Sequence, residues 1–228
     1  MYKRQTYNRE VYADMHTSGP KKNFDWRLKT PERAHDAGVR RLGIGALYGL
    51  SDWRHETICL AAHADFLLRR CWKSQLTISL PRLRPCAGEF QPLNNFNDQD
   101  LVQTICALRL FLPDVGIVLS TREPAKLRNQ LIPLGITSMS AGSHTEPGGY
   151  TGAGTNNLHY TERGKIKELK ENTTESESKA TGQFDIADER SPETVAKTIA
   201  HLGYEPVWKD WDTSILPNEK EATQLLTP

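Results

Sequence analysis

Two rhythms of apolar and polar residues alternate along this chain. Short runs of consecutive apolar, β-branched residues are separated by stretches in which apolar residues recur every three or four positions. Arg9 to Met15 carries a short helical pattern, followed by the turn sequence Thr17-Ser18-Gly19-Pro20. Thr30-Pro31-Glu32 reads as a helix start, with Thr as N-cap and Pro at the first helical position, and that helix stops at Gly38. Val39 to Leu50 then predicts a buried strand opening into a glycine-rich loop. Ser51-Asp52 predicts the cap of a long helix with Ile58, Leu60, Ala61, Ala64 and Leu67 or Leu68 on its apolar face.

Thr77 to Leu80 predicts a strand ended by Pro81, and Asp98 or Asp100 the cap of a helix facing inward with Leu101, Ile105, Leu108 and Phe111. Val115 to Ser120 is continuously apolar, the pattern of a parallel strand covered on both faces. Pro124 to Leu131 predicts a short helix, and Gly135 to Ser140 the last strand of the series. Strands alternating with helices imply an α/β fold with a parallel sheet, either barrel or doubly wound. Either architecture puts function at the C-terminal ends of the strands.

The rhythm breaks from Tyr150 to Gly182. Residues 161 to 179 hold five acidic and five basic side chains, with only Ile166 and Leu169 as large apolar ones. Such a segment buries too little surface to offset its ordering entropy, so a mobile loop is expected, with a frayed helix near Ile166. The expected organisation is a parallel α/β part over 1–150, a polar insertion over 151–182, a resumed ordered segment over 183–212 and a loose tail over 213–228. In the resumed segment, Ser191-Pro192-Glu193 starts a helix that ends before Gly203.

Composition narrows the function classes. The chain has 228 residues, 37% of them apolar, and a formal charge of +1. That balance argues against a protein built to coat nucleic acid or an anionic membrane. No stretch has the length of apolar sequence a membrane helix needs, and a cytoplasmic protein is expected. Cys59, Cys71, Cys86 and Cys106 are scattered and read as ordinary thiols. The seven histidines are read as forming no i, i+4 pair or other metal-ligand cluster, and as surface residues. No catalytic triad motif, phosphate loop or dinucleotide fingerprint is present.

The candidate chemistry sits after the strands. Gly45-Ala46-Leu47-Tyr48-Gly49 either lets backbone approach a flat ligand or is a tight turn needing glycine. Arg82 and Arg84 in Pro81-Arg82-Leu83-Arg84-Pro85 either grip a carboxylate or phosphate or flank a rigid turn in solvent. Thr121-Arg122-Glu123, in the same place after the next strand, either grips an anion in the same way or, as favoured, forms a local ion pair. Ser138 to Ser143, with Pro147-Gly148-Gly149-Tyr150, either offers backbone N–H groups to an anion or is a flexible polar loop.

An ordered set of segments carries a family resemblance: Gln5-Thr6-Tyr7-Asn8-Arg9, Met15-His16, Gly19-Pro20-Lys21, Arg41 to Trp53, Pro81 to Pro85, Ser138 to Ser143, Pro147 to Tyr150, Gln183-Phe184 and Trp208-Lys209-Asp210-Trp211-Asp212. Together they resemble the 2-iminoacetate synthase family (ThiH type), the radical S-adenosylmethionine tyrosine lyases of thiamine biosynthesis. The resemblance implies a partial (βα)8 TIM-type barrel, about its C-terminal half, with a C-terminal α/β extension shared with biotin synthase. It implies a reaction in which a 4Fe–4S cluster cleaves S-adenosylmethionine and the resulting radical breaks the Cα–Cβ bond of tyrosine, giving dehydroglycine and p-cresol.

By the same resemblance Gln5, Lys22, Gly45, Leu47 and Gly49 are cofactor-binding candidates, and Arg82, Arg84 and Ser140 substrate-binding ones. Gln5 stands where the family has a carboxylate. The family's C-x3-C-x2-C cluster loop has no counterpart here, so the cluster is not expected to bind this chain alone. The resemblance implies tyrosine as substrate, and as partner a missing N-terminal half or a thiazole synthase subunit. The alternatives are a non-enzymatic truncated remnant and, from the residues alone, a metal-free phosphate-binding barrel enzyme.

Overall fold

The computed structural model describes residues 6–83, 91–144 and 186–208, together with the backbone of 159–162 and 165–168. Gln5, Arg84, Cys86, the 147–150 and 183–184 motifs and the tail after 208 lie outside the described residues. Three short helices come first: α1 (Arg9–Met15), α2 (Phe24–Leu28) and α3 (Thr30–Asp36). Asn8 caps α1 and Asn23 caps α2, each accepting backbone N–H groups of the first turn. α2 has no counterpart in the expected pattern because at five residues it is too short to show a period.

Four strands and three helices then alternate: β1 (Arg41–Gly45), α4 (Trp53–Arg70), β2 (Gln75–Ser79), α5 (Asp98–Phe111), β3 (Gly116–Leu119), α6 (Ala125–Leu131) and β4 (Ser138–Met139). The sheet runs β1-β2-β3-β4 with every pair parallel. Neighbours in the sheet follow chain order, as the staves of a barrel do. The register aligns Ile44 with Ile78 and Ile78 with Ile117.

Leu42, Ile44, Leu76, Ile78, Ile117 and Leu119 are buried in one core with Leu60, Ala64 and Leu67 of α4 and Leu101, Ile105 and Leu108 of α5. Alternation along each strand puts Gly43, Thr77, Gly116 and Val118 on the other face, where they are only half-buried. Gly45 and Ser79, which share that second face, are buried. The side chains on it are small, and the large apolar ones lie on the first, with α4 and α5.

Two inward assignments also change. Ile58 is 69% and Phe111 59% exposed, because the buried rows run Leu60-Ala64-Leu67 and Leu101-Ile105-Leu108-Leu112. Asp52 caps α4 as expected, its carboxylate accepting the His55 N–H at 2.9 Å. The α5 cap is Asn97, in a reciprocal capping box with Asp100. α3 starts without a side-chain cap, Lys29 preceding it rather than Thr30.

Within the expected insertion, β5 (His159–Glu162) pairs antiparallel with β6 (Lys165–Glu168). The helix expected near Ile166 is thus a strand. Its Lys165-Ile166-Lys167 alternation has period two, opposite β-prone Tyr160 and Thr161. α7 (Pro192–His201) leads into a second compact unit, which begins at Glu193. α7 closes at Gly203, whose left-handed φ of 84° lets the Tyr204 N–H turn back to the Ile199 carbonyl at 3.2 Å.

Candidate functional site

The parallel strands bring their C-terminal ends to one rim. After β1 the chain continues beside the chain after β2. Tyr48 and Arg82 form a parallel bridge, with Tyr48 N–H donating to the Pro81 carbonyl at 2.9 Å and Leu83 N–H to the Tyr48 carbonyl at 2.7 Å. The Tyr48 ring is fully buried and stacks on Phe96 with centroids 4.4 Å apart. Burial raises its phenol pKa, and the hydrogen bond to Thr57 at 3.0 Å offsets this only in part. Tyr48 is a neutral anchor for the rim.

The glycines beside it meet internal demands. A Cβ on Gly45 would stand 2.3 Å from the Ser79 carbonyl oxygen on the neighbouring strand. Gly49 has a φ of 110°, and a Cβ there would lie 3.1 Å from Leu83 Cβ. The Gly49 carbonyl accepts from Leu93 N–H at 2.8 Å and Asn94 N–H at 3.0 Å. At both glycines the space a Cβ would take is filled by protein atoms, so packing alone requires glycine there. Leu47, between them, is half-buried.

Two ionic networks span the rim. Arg82 is 7% exposed at its side chain and faces Glu123, which is 2% exposed. Its Nε donates to Glu123 Oε1 at 2.9 Å, Nη2 donates to Glu123 Oε2, and Nη1 donates to Asp98 Oδ1 at 2.7 Å. Burial opposes the Arg82 charge, but the Glu123 and Asp98 carboxylates overcome it and the pKa rises. The local pair expected in Thr121-Arg122-Glu123 is instead a bridge between the loops after β2 and β3. Arg122 Nη1 donates to the Arg82 carbonyl at 3.2 Å, tying the same loops a second time.

The second network centres on Asp188, whose side chain is fully buried with that of Arg128. Arg128 Nη1 donates to Asp188 Oδ2, and its Nη2 donates to the Ser140 carbonyl. Arg190 adds Nε to Oδ1 at 2.8 Å and Nη2 to Oδ2 at 2.7 Å. Burial works against ionising Asp188, but the Arg190 hydrogen bonds and the Arg128 charge prevail and hold its pKa at about 2. Ala187 and Asp188 N–H groups reach the Thr121 carbonyl at 2.9 and 3.1 Å. The 186–190 segment is thereby fixed across the ends of β3 and β4.

The sequence-derived residues divide as follows. Arg82, Ser140 and Leu47 stand on this rim, with Gly45 and Gly49 as its packing. Arg82 is engaged by two protein carboxylates, and Ser140 N–H donates to the Leu119 carbonyl at 3.0 Å. Lys22 is exposed on a single 3-10 turn, Pro20–Lys22, among the helices that precede β1. Arg128, Asp188 and Arg190 carry no sequence motif, and Asp98 reads in sequence only as a candidate helix cap. Only the Asp188-Glu189-Arg190 triplet, opposite charges two apart, gives a local signal.

The histidines are not all loose on the surface. His35 Nδ1 pairs with Ser74 Oγ at 2.7 Å, and His63 Nδ1 with the Tyr7 hydroxyl at 2.9 Å. Glu56, fully buried, accepts Tyr7 N–H at 2.8 Å and the Thr6 hydroxyl, which ties the N-terminal segment to α4. Among the described residues no group of three or more His, Cys, Asp and Glu side chains could hold a metal ion. Cys59 and Cys71 lie at the start and end of α4, with Cys71 buried, and Cys106 lies on α5. These thiols do not fit a 4Fe–4S cluster, which takes grouped cysteines. No helix among the described residues is long and apolar enough to cross a membrane.

Comparison with known proteins is specific. The family described as Biotin and Thiamin Synthesis associated domain matches residues 79–205. The 2-iminoacetate synthase of Escherichia coli (strain K12) is 41% identical over 214 residues, which is 93% of this chain and 50% of that protein. The 2-iminoacetate synthase of Salmonella typhimurium shows the same figures, 41% over 214 residues. The chain thus spans about half the length of these curated relatives. The crystal structure of HydG, a maturase of the FeFe-hydrogenase, superposes with a TM-score of 0.73 at 33% identity, covering 91% of this chain and 40% of that one. HydG from Carboxydothermus hydrogenoformans gives a TM-score of 0.71 at 34% identity, over 91% and 42%. With its parallel α/β rim and this span of matched sequence, the chain belongs to the Biotin and Thiamin Synthesis associated domain family, and its relatives within it include the 2-iminoacetate synthases.

Proposed function

We propose that this chain forms part of the barrel mouth of a carbon–carbon lyase of the 2-iminoacetate synthase type, which splits tyrosine into dehydroglycine and p-cresol. The observation that carries the reading is the 41% identity to 2-iminoacetate synthase along 93% of the chain. The described cysteines do not fit a cluster, so the radical-generating centre is assigned to protein outside the described residues.

The residues here would shape the mouth. Leu47 and Ser140 stand on the rim as candidate contacts to S-adenosylmethionine and to tyrosine, with Gln5, Lys22 and Arg84 as further candidates. Arg82 is assigned a positioning role. Its guanidinium spans Glu123 and Asp98, fixing the spacing of the loops after β2 and β3 rather than presenting a bare cation. That engagement also weighs against a metal-free phosphate site built on Arg82.

The experiment is anaerobic complementation. The chain is combined with a polypeptide covering the N-terminal half of a relative, including its cysteine loop. S-adenosylmethionine, tyrosine and a one-electron reductant are supplied, and p-cresol is measured. Product is expected only when both polypeptides are present. Absence of p-cresol, with the intact relative active in parallel, overturns the reading.

A further inference from the structure

We propose that His55 and Cys59 form a two-ligand site for a borderline divalent cation of the Zn2+ class on the outer face of α4. The two residues stand four apart near the start of that helix, so their side chains lie one above the other. His55 Nε2 and Cys59 Sγ face each other at 3.5 Å. Ligands at the zinc–nitrogen and zinc–sulfur bond lengths, about 2.0–2.1 and 2.3 Å, stand about 3.5 Å apart when the angle between them is tetrahedral. The pair is therefore already spaced as two corners of a zinc tetrahedron. Imidazole and thiolate are the donor types that suit zinc.

The surroundings favour a cation. His55 is exposed and Cys59 half-buried, so the pair opens to solvent on one side and water can complete the coordination. An arriving metal displaces the thiol proton. The balance is simple. The metal takes the Nε2 lone pair and the sulfur lone pair, the S–H bond breaks, and one proton leaves to solvent. No electron is transferred. The inference stands apart from the reaction proposed above.

The test uses the full reduced chain and Co2+ alone as probe. A thiolate-to-cobalt charge-transfer band in the near ultraviolet should saturate at one metal per chain, with one proton released per metal. Zn2+ should displace the cobalt, because a d10 ion takes tetrahedral nitrogen–sulfur coordination with no ligand-field cost. C59S should abolish the band. H55A should weaken binding by at least the roughly 10- to 100-fold that loss of even an outer-shell partner costs. C106S should leave the band unchanged. His55 is exposed and Cys59 only partly buried, so unaltered far-ultraviolet circular dichroism is expected and separates ligand loss from misfolding. A band that survives C59S, or no band in the unaltered chain up to millimolar cobalt, overturns the site and leaves a thiol–imidazole hydrogen bond.

Discussion

At the scale of single residues, buried charge decides most. Glu123 and Arg82 are 2% and 7% exposed at their side chains. Removing one partner of such a pair leaves the other uncompensated, at a cost of about 3–5 kcal/mol, whereas replacing both with apolar groups is often neutral. Glu123→Ala, which leaves Arg82 with Asp98 alone, is expected to lower the unfolding free energy read from urea titration by up to that amount, and the double variant Arg82→Met/Glu123→Leu to recover most of it. Equal losses in the single and double variants would show that the pair is not a unit. Asp188 gives the acid response. Its pKa falls from 3.8 unfolded to about 2 folded, so its ionised form favours the folded state above about pH 4. That contribution, about 2 kcal/mol, is lost as pH falls from about 4 toward 2. Asp188→Asn should flatten the fall of stability across this window in parallel denaturant titrations. An unchanged slope would place the acid sensitivity elsewhere.

At the scale of elements, the period of apolar residues and the caps carried the reading, and tertiary partners did not. The four strands of the sheet were legible because Ile44, Ile78 and Ile117 sit in short apolar runs between turn residues. Asp52 announced α4 because one capping residue preceded a clear period. Asn97 was passed over because Asp98 and Asp100 compete for the same role in sequence, and only the reciprocal bonds with Asp100 separate them. Phe111 looked inward until Leu112, one residue on, took the core position. The Arg82–Glu123 bridge joins residues 41 apart, and no local pattern encodes that distance. The four-residue spacing of His55 and Cys59 is present in the sequence, but only the helix brings Nε2 to within 3.5 Å of Sγ. Two element-level outcomes follow. Asn97→Ala should cost about 0.5–2 kcal/mol through loss of the α5 cap. Gly45→Ala should cost at least about 1–3 kcal/mol, because its Cβ would push β1 off Ser79 of β2. Thermal melts of both variants check these figures, and a neutral Gly45→Ala would show that the strands can part without loss.

At the scale of the molecule, β1 and β4 end the sheet, and among the described residues neither has a strand on its outer side. Unpaired strand edges offer N–H and C=O groups to other chains. The isolated chain is therefore expected to self-associate at micromolar concentration, and size-exclusion chromatography with light scattering will read it. A monodisperse monomer would show that those edges are covered by other parts of the chain. The strand order has a consequence for synthesis. Each strand pairs with the strand before it, Arg41 with Gln75 and Thr77 with Gly116, so no pairing waits for a distant stretch of chain. Loop-closure entropy rises slowly with separation, and contacts of short range form first. As the polypeptide emerges from the ribosome, β1 and α4 are out before β2, and each βα unit can dock on a template already formed. Growth is vectorial, and the last strand of the parallel sheet to arrive, the two-residue β4, is also the one with the fewest ladder partners in that sheet to hold it.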